Sequence, residues 1–154
     1  MKRYYAAFWF LVVGLAACGQ ITDPDASLDN TQWVVTSLRG KPAIEGVAHP
    51  ERGIDYTKVT LEFGGGGTFR GYDGCEFYEG KYTSTAEFNF YLTEYERTFR
   101  ECPTAVVEQG DVYFDAISNR VSDFNITGNQ LELVNGIGEV TIVLERQSPD
   151  LPLP

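Results

Sequence analysis

Three cysteines, Cys18, Cys75 and Cys102, and one histidine, His49, are the residues of this 154-residue chain best suited to covalent or metal chemistry. Cys75 lies in "RGYDGCEFYEGKY", residues 70–82, between a turn glycine and an acid. Its thiol could be a nucleophile, a metal ligand or half of a disulfide. A cysteine nucleophile needs a base beside it. His49, the sole imidazole, falls in a loop rich in Pro and Gly and reads as a surface residue. A structural zinc site takes four thiolate, imidazole or carboxylate ligands, and too few thiols and imidazoles are present. No serine stands in a recognisable elbow. "GGGG" at 64–67 is followed by Thr and Phe rather than Lys and Ser/Thr and opens no helix, so it reads as a hairpin loop and not a phosphate cradle. Asp23, Asp25 and Asp29 lack the glycine and glutamate that complete a calcium loop. Asn125-Ile126-Thr127 fits a glycosylation pattern but falls inside an expected strand. Among 22 acids no spacing singles out a hydrolytic carboxylate pair. The expectation is no catalytic residue, no metal ligand set and no cofactor.

The N-terminus decides where the remaining thiols live. "MKRYYAAFWFLVVGLAACGQ" has a short positive start at Lys2 and Arg3, an uncharged run from Ala6 to Ala17, and small residues before Cys18. That is the three-part pattern of a secretory signal peptide, and the run is too short for a membrane span. Leu15-Ala16-Ala17-Cys18 resembles the lipobox of bacterial lipoproteins. The resemblance implies cleavage after residue 17 and diacylglycerol on the Cys18 thiol. Each buried methylene contributes about 0.8 kcal/mol, so several acyl chains anchor stably. Gly19 in place of an Asp after the cysteine points to an outer membrane facing the periplasm. Residues 18–30 read as a flexible polar tether, 31–147 as one domain and 148–154 as a Pro-rich tail.

Removing residues 1–17 takes away Lys2 and Arg3 and no acid, so the formal charge moves from −10 to −12. Phosphate backbones would repel such a surface, and nucleic acid is excluded as a partner. The expected partners are the membrane, through the lipid on Cys18, and another envelope protein, with the domain itself a monomer.

With Cys18 lipidated, Cys75 and Cys102 remain as an even pair in an exported, oxidising compartment. Joining them closes a loop of about 27 residues, which the chain-entropy estimate values at roughly 3.5 kcal/mol. Two buried free thiols are the alternative.

The elements that must position this pair have mostly a period of two. "TQWVVTSL" is an expected first strand with Trp33 and Val35 on one face. A long loop follows. "KVTLEF" places Val59, Leu61 and Phe63 inward, "TFRGY" is a third strand, "EGKYTST" a fourth, and "AEFNFYLTEY" a fifth with Phe88, Phe90 and Leu92 inward. "SDFNITGNQLELVNGIGEVTIVLER" reads as a three-stranded meander turning at Gly128-Asn129 and Asn135-Gly136. One amphipathic helix is expected over about 104–118, with Val106, Gly110, Tyr113 and Ile117 on its inner face and Pro103 at its start.

These elements, in this order, resemble the META domain family, also called HslJ-like. The likeness is carried by Trp33, "TLEF", "FRGYDGCEFYEGKY", "TFREC", the helix with Glu108, Tyr113 and Ile117, "FNITGNQLELV" and "VTIVLER", over about residues 31–146. It implies an α+β fold, mainly antiparallel β: a curved sheet or open barrel packed on one α-helix. It implies no catalytic set. The family's Asn after Gly-Cys is Glu76 here, and its Met-Ala before the second cysteine is Arg100-Glu101. The opposite charges of Glu76 and Arg100 suggest a pair across the bridge instead. The expected function is a lipid-anchored envelope protein with a non-enzymatic binding or structural domain, in stress tolerance or envelope maintenance. The alternative is a carrier of a small apolar ligand among Trp33, Phe63, Phe69, Phe88, Phe90 and Phe124. A hydrolase ranks third.

Overall fold

The computed structural model describes residues 27–44, 58–84, 91–119 and 121–147. Cys18, His49, Phe88, Phe90 and the Pro-rich tail lie outside the described residues.

Alternation of apolar and polar residues sets the strands. They are β1 (Thr31–Leu38), β2 (Lys41–Pro42), β3 (Val59–Gly64), β4 (Thr68–Asp73), β5 (Phe77–Thr83), β6 (Tyr91–Arg97), β7 (Val121–Thr127), β8 (Gln130–Asn135) and β9 (Val140–Arg146), with one helix, α1 (Thr104–Asn119), between β6 and β7. All pair antiparallel in one sheet of order β6-β5-β4-β3-β1-β9-β8-β7, and β2 folds back on β1. The edge strands β6 and β7 also touch, so the sheet curls toward a barrel. Helix α1 packs on β4 and β6 from one half and on β7 and β9 from the other.

The inner face of this curl is the core. Trp33, Val35, Val59, Leu61, Phe63, Phe69, Tyr78, Leu131, Leu133, Ile142 and Leu144 point into it and meet Tyr113, Ala116 and Ile117 of the helix. The residues between them on each strand face outward, because side chains alternate along a strand.

Four boundaries differ from the expectation. The loop after β1 begins with β2, because the Arg39-Gly40 turn, with φ of 50° and 73°, returns the chain to pair with Ser37 and Leu38. The fourth expected strand starts earlier, at Phe77, because a tight turn at Asp73 brings Phe77 opposite Tyr72. The fifth runs on to Arg97, in register with Tyr78. Leu28, assigned to the tether, is 3% exposed and belongs to the core. A lone leucine among polar residues carries no periodic signal, so its docking was not legible.

Candidate functional site

The site is built on the turn that follows β4. Gly74 has φ of 100°, a conformation that only glycine adopts without strain. Asp73 Oδ1 accepts the backbone N–H of Cys75 at 2.9 Å and of Glu76 at 2.7 Å. The Asp73 N–H closes the turn onto the Glu76 carbonyl at 3.0 Å. Cys75 is thereby held, buried, against Cys102 in a disulfide with Cα atoms 6.0 Å apart. Cys102 directly precedes Pro103 and the first turn of α1, where Val106 packs on Cys75. The sequence-derived pair is therefore brought together, and it ties the sheet to the helix start.

Charges surround this bridge. The other oxygen of Asp73, Oδ2, receives Arg97 Nε at 2.7 Å, and Arg97 also reaches Asp111 on the helix at 3.0 Å. Burial pulls the Arg97 guanidinium down, but Asp111 and Asp73 outweigh it and hold Arg97 above its ordinary value. Glu76, 5% exposed, accepts the Thr98 hydroxyl at 2.6 Å and the backbone N–H of Arg100. This corrects the expected side-chain pair. Glu76 binds the amide of Arg100, while the guanidinium lies 4.8 Å from the centre of the Phe77 ring. Glu76 is buried and Arg100 is exposed, so the carboxylate meets the backbone while the guanidinium turns to the surface ring of Phe77.

Beneath the turn, Tyr78 of β5 donates its hydroxyl proton to the Thr60 carbonyl at 2.6 Å. Its oxygen is 2.6 Å from the Tyr113 hydroxyl, which is then the donor in that bond. Gly71 makes this possible, since a Cβ there would fall 2.3 Å from the Tyr78 hydroxyl. Burial raises both phenols. The neighbouring Tyr113 adds to the effect on Tyr78, and the charge of Asp73 to both.

On the outer face one row crosses five strands in register: Gln32, Glu62, Arg70, Glu79 and Glu96. It borders a recess of ≈ 650 Å³ that Tyr72 and Phe77 also line. Arg70 binds Glu62 through two 2.9 Å hydrogen bonds, and that hydrogen bonding with its charge attraction raises the guanidinium. A second recess of ≈ 730 Å³ shares Glu62, Arg70, Glu79 and Glu96 with the first.

Cys75 and Cys102 were thus located by sequence. The partners that organise them, Asp73, Arg97 and Asp111, were not, although "DGC" is a recognisable turn signal. Nor was the outer row, whose members fall on separate strands. The aromatic set divides: Trp33, Phe63 and Phe69 are buried in the core, Phe124 packs partly buried against it, and Phe88 and Phe90 lie outside the described residues. Among the described residues no three His, Cys, Asp or Glu side chains gather as a metal site. The buried carboxylates of Asp73 and Glu76 are occupied by amides, a hydroxyl and a guanidinium, an arrangement that holds structure rather than moves protons.

The chain matches the META domain over residues 26–148. No curated protein matches it. Two solved structures share its fold. A protein from Burkholderia xenovorans, solved by NMR, is 19% identical, with 79% of this chain and 84% of that one covered and a TM-score of 0.58. Another NMR structure is 16% identical, covers 76% and 89% respectively, and has a TM-score of 0.55.

Proposed function

The chain belongs to the META domain family, and from that premise we propose a lipid-anchored protein of the cell envelope whose domain binds and steadies another envelope component without catalysing a reaction. The observation that carries the anchoring is "LAAC" at the end of a signal-like leader, with Cys18 as the acylated residue. The disulfide between Cys75 and Cys102 agrees with export to an oxidising compartment. For binding, the support is a recessed outer face on paired strands, beside a turn whose buried acids are already bonded. The location proposed is an outer membrane facing the periplasm, the domain is a monomer there, and the role is envelope maintenance or stress tolerance. The apolar-carrier reading gains no support, because Trp33, Phe63 and Phe69 pack into the core against the helix.

Metabolic labelling with an alkyne fatty acid tests the anchor. Wild-type chain takes the label and Cys18→Ser does not. Labelling of the mutant equal to wild type removes the anchor from the proposal. Crosslinking in the intact envelope tests binding, with one defined partner as the expected product.

A further inference from the structure

The outer row contains an imbalance. Arg70 is held by Glu62 through two bonds, Arg97, which also lines the first recess, by Asp73 and Asp111, and Lys81, which lines the second, by Glu94. Glu79 and Glu96 stand directly opposite each other on β5 and β6, exposed and with no ion pair among the described residues, although the charge of Glu79 also acts on Arg70 opposite it on β4. Like charges facing across two strands destabilise a sheet. They line both recesses, which therefore adjoin at this pair.

A second, independent observation lies beside them. Thr60, 1% exposed, and Gln32 both line the first recess, and among the described residues Thr60 Oγ1 and Gln32 Oε1 have no hydrogen-bond partner. Both oxygens can accept an N–H. Carboxylates and unpartnered acceptors beside Tyr72 favour a cationic N–H donor. A hard metal ion fits worse, since it takes about six or more oxygen ligands and only two unpaired carboxylates meet here. Each recess has the size of a small-ligand pocket. Two that adjoin exceed what one small amine fills.

We infer that these adjoining recesses dock an extended, lysine-bearing segment of a partner protein, with an ammonium group seated between Glu79 and Glu96. The inference rests on the binding role proposed above and names the chemistry of the partner.

Fluorescence anisotropy of a labelled peptide of alternating lysine and glycine, titrated with the purified mature chain, tests it. Glu79→Gln with Glu96→Gln weakens binding by about tenfold or more, and added salt weakens wild-type binding. Glu101→Gln with Glu108→Gln removes the same charge elsewhere and leaves affinity within about twofold, since distant exposed charges are screened. Circular dichroism checks that both variants are folded. Equal weakening by the two variants, no binding by wild type, or binding of spermidine but not peptide overturns the inference. The assay needs neither lipid nor native partner, so its failure leaves the labelling and crosslinking tests of the broader role standing.

Discussion

The buried carboxylate of Asp73 receives Arg97 through both Nε and a terminal nitrogen, each 2.7 Å from the same oxygen, while its other oxygen holds the Cys75 and Glu76 amides. One side chain thus fixes the disulfide turn, the end of β6 and, through Arg97 and Asp111, the helix. Gly110 lets the helix approach: a Cβ there would sit 3.2 Å from Asp73 Cγ and 3.3 Å from an Arg97 nitrogen.

Asp73→Ala therefore removes three separate supports. It leaves two amides without their acceptor, and Arg97, 26% exposed, keeps Asp111 and its contact with the Phe114 ring. Breaking a buried pair costs about 3–5 kcal/mol, toward the lower end here because Arg97 reaches water. Urea unfolding of the oxidised domain measures it. A loss under about 1 kcal/mol would show that the turn holds without this carboxylate.

The disulfide was legible in the sequence because counting sufficed: with export and lipid on Cys18 expected, two cysteines are left. The strands of the inner face were legible because Val59, Leu61 and Phe63, or Trp33 and Val35, alternate within a few residues. What alternation cannot reveal is a contact between distant elements. Asp73 and Arg97 are ordinary residues in sequence, 24 positions apart, and only the packing of β4 against the helix and β6 gives them a shared role. In the sequence Gly110 is only one position on the expected inner face of the helix. In the folded chain it is the clearance between that helix and the ion pair. Glu76 was misassigned for a related reason: charge suggested Arg100's guanidinium, but geometry offered its amide.

Replacing Cys75 and Cys102 together by serine tests how much the bridge contributes beyond this network. Loss of a native disulfide in a small secreted domain costs about 2–5 kcal/mol. The Asp73 and Glu76 bonds to backbone amides and to Thr98 involve no sulfur and should outlast the bridge, so the lower half of that range is expected. Urea midpoints of the two proteins give the difference. Alkylation of denatured, unreduced wild type should add no mass, and two alkylated thiols would contradict the bridge.

The buried phenols predict an alkaline limit to stability. Burial, with the Asp73 charge adding to it, raises Tyr78 and Tyr113 in the folded state. A tyrosine raised on folding keeps its proton where the unfolded chain has lost it. Its contribution is therefore fully present below the unfolded value near 10 and is lost as pH rises above it. Each such tyrosine adds a slope of about 1.4 kcal/mol per pH unit above that point, so two add roughly twice as much. Unfolding free energies between pH 9 and 11 should fall steeply for wild type. Tyr113→Phe should remove part of the slope, and an unchanged slope would exclude Tyr113 as its source.

The final prediction concerns where the domain begins. Leu28 is 3% exposed and packs in the same core as Trp33 and Phe63. Its carbonyl accepts the Thr31 hydroxyl, Thr31 in turn accepts the Trp33 indole N–H at 2.7 Å, and Asp29 accepts the hydroxyl of Tyr82. The residues just before β1 thus form a latch across the end of the sheet. Leu28→Ala should cost about 2–5 kcal/mol, the range for truncating a buried leucine. Tyr82→Phe should cost about 0.5–1.5 kcal/mol, the usual worth of one hydrogen bond. A chain starting at residue 31 should lose at least as much as Leu28→Ala relative to one starting at residue 27. Urea unfolding of the four proteins decides the matter: equal stability of the two truncations would place the domain boundary at residue 31 after all.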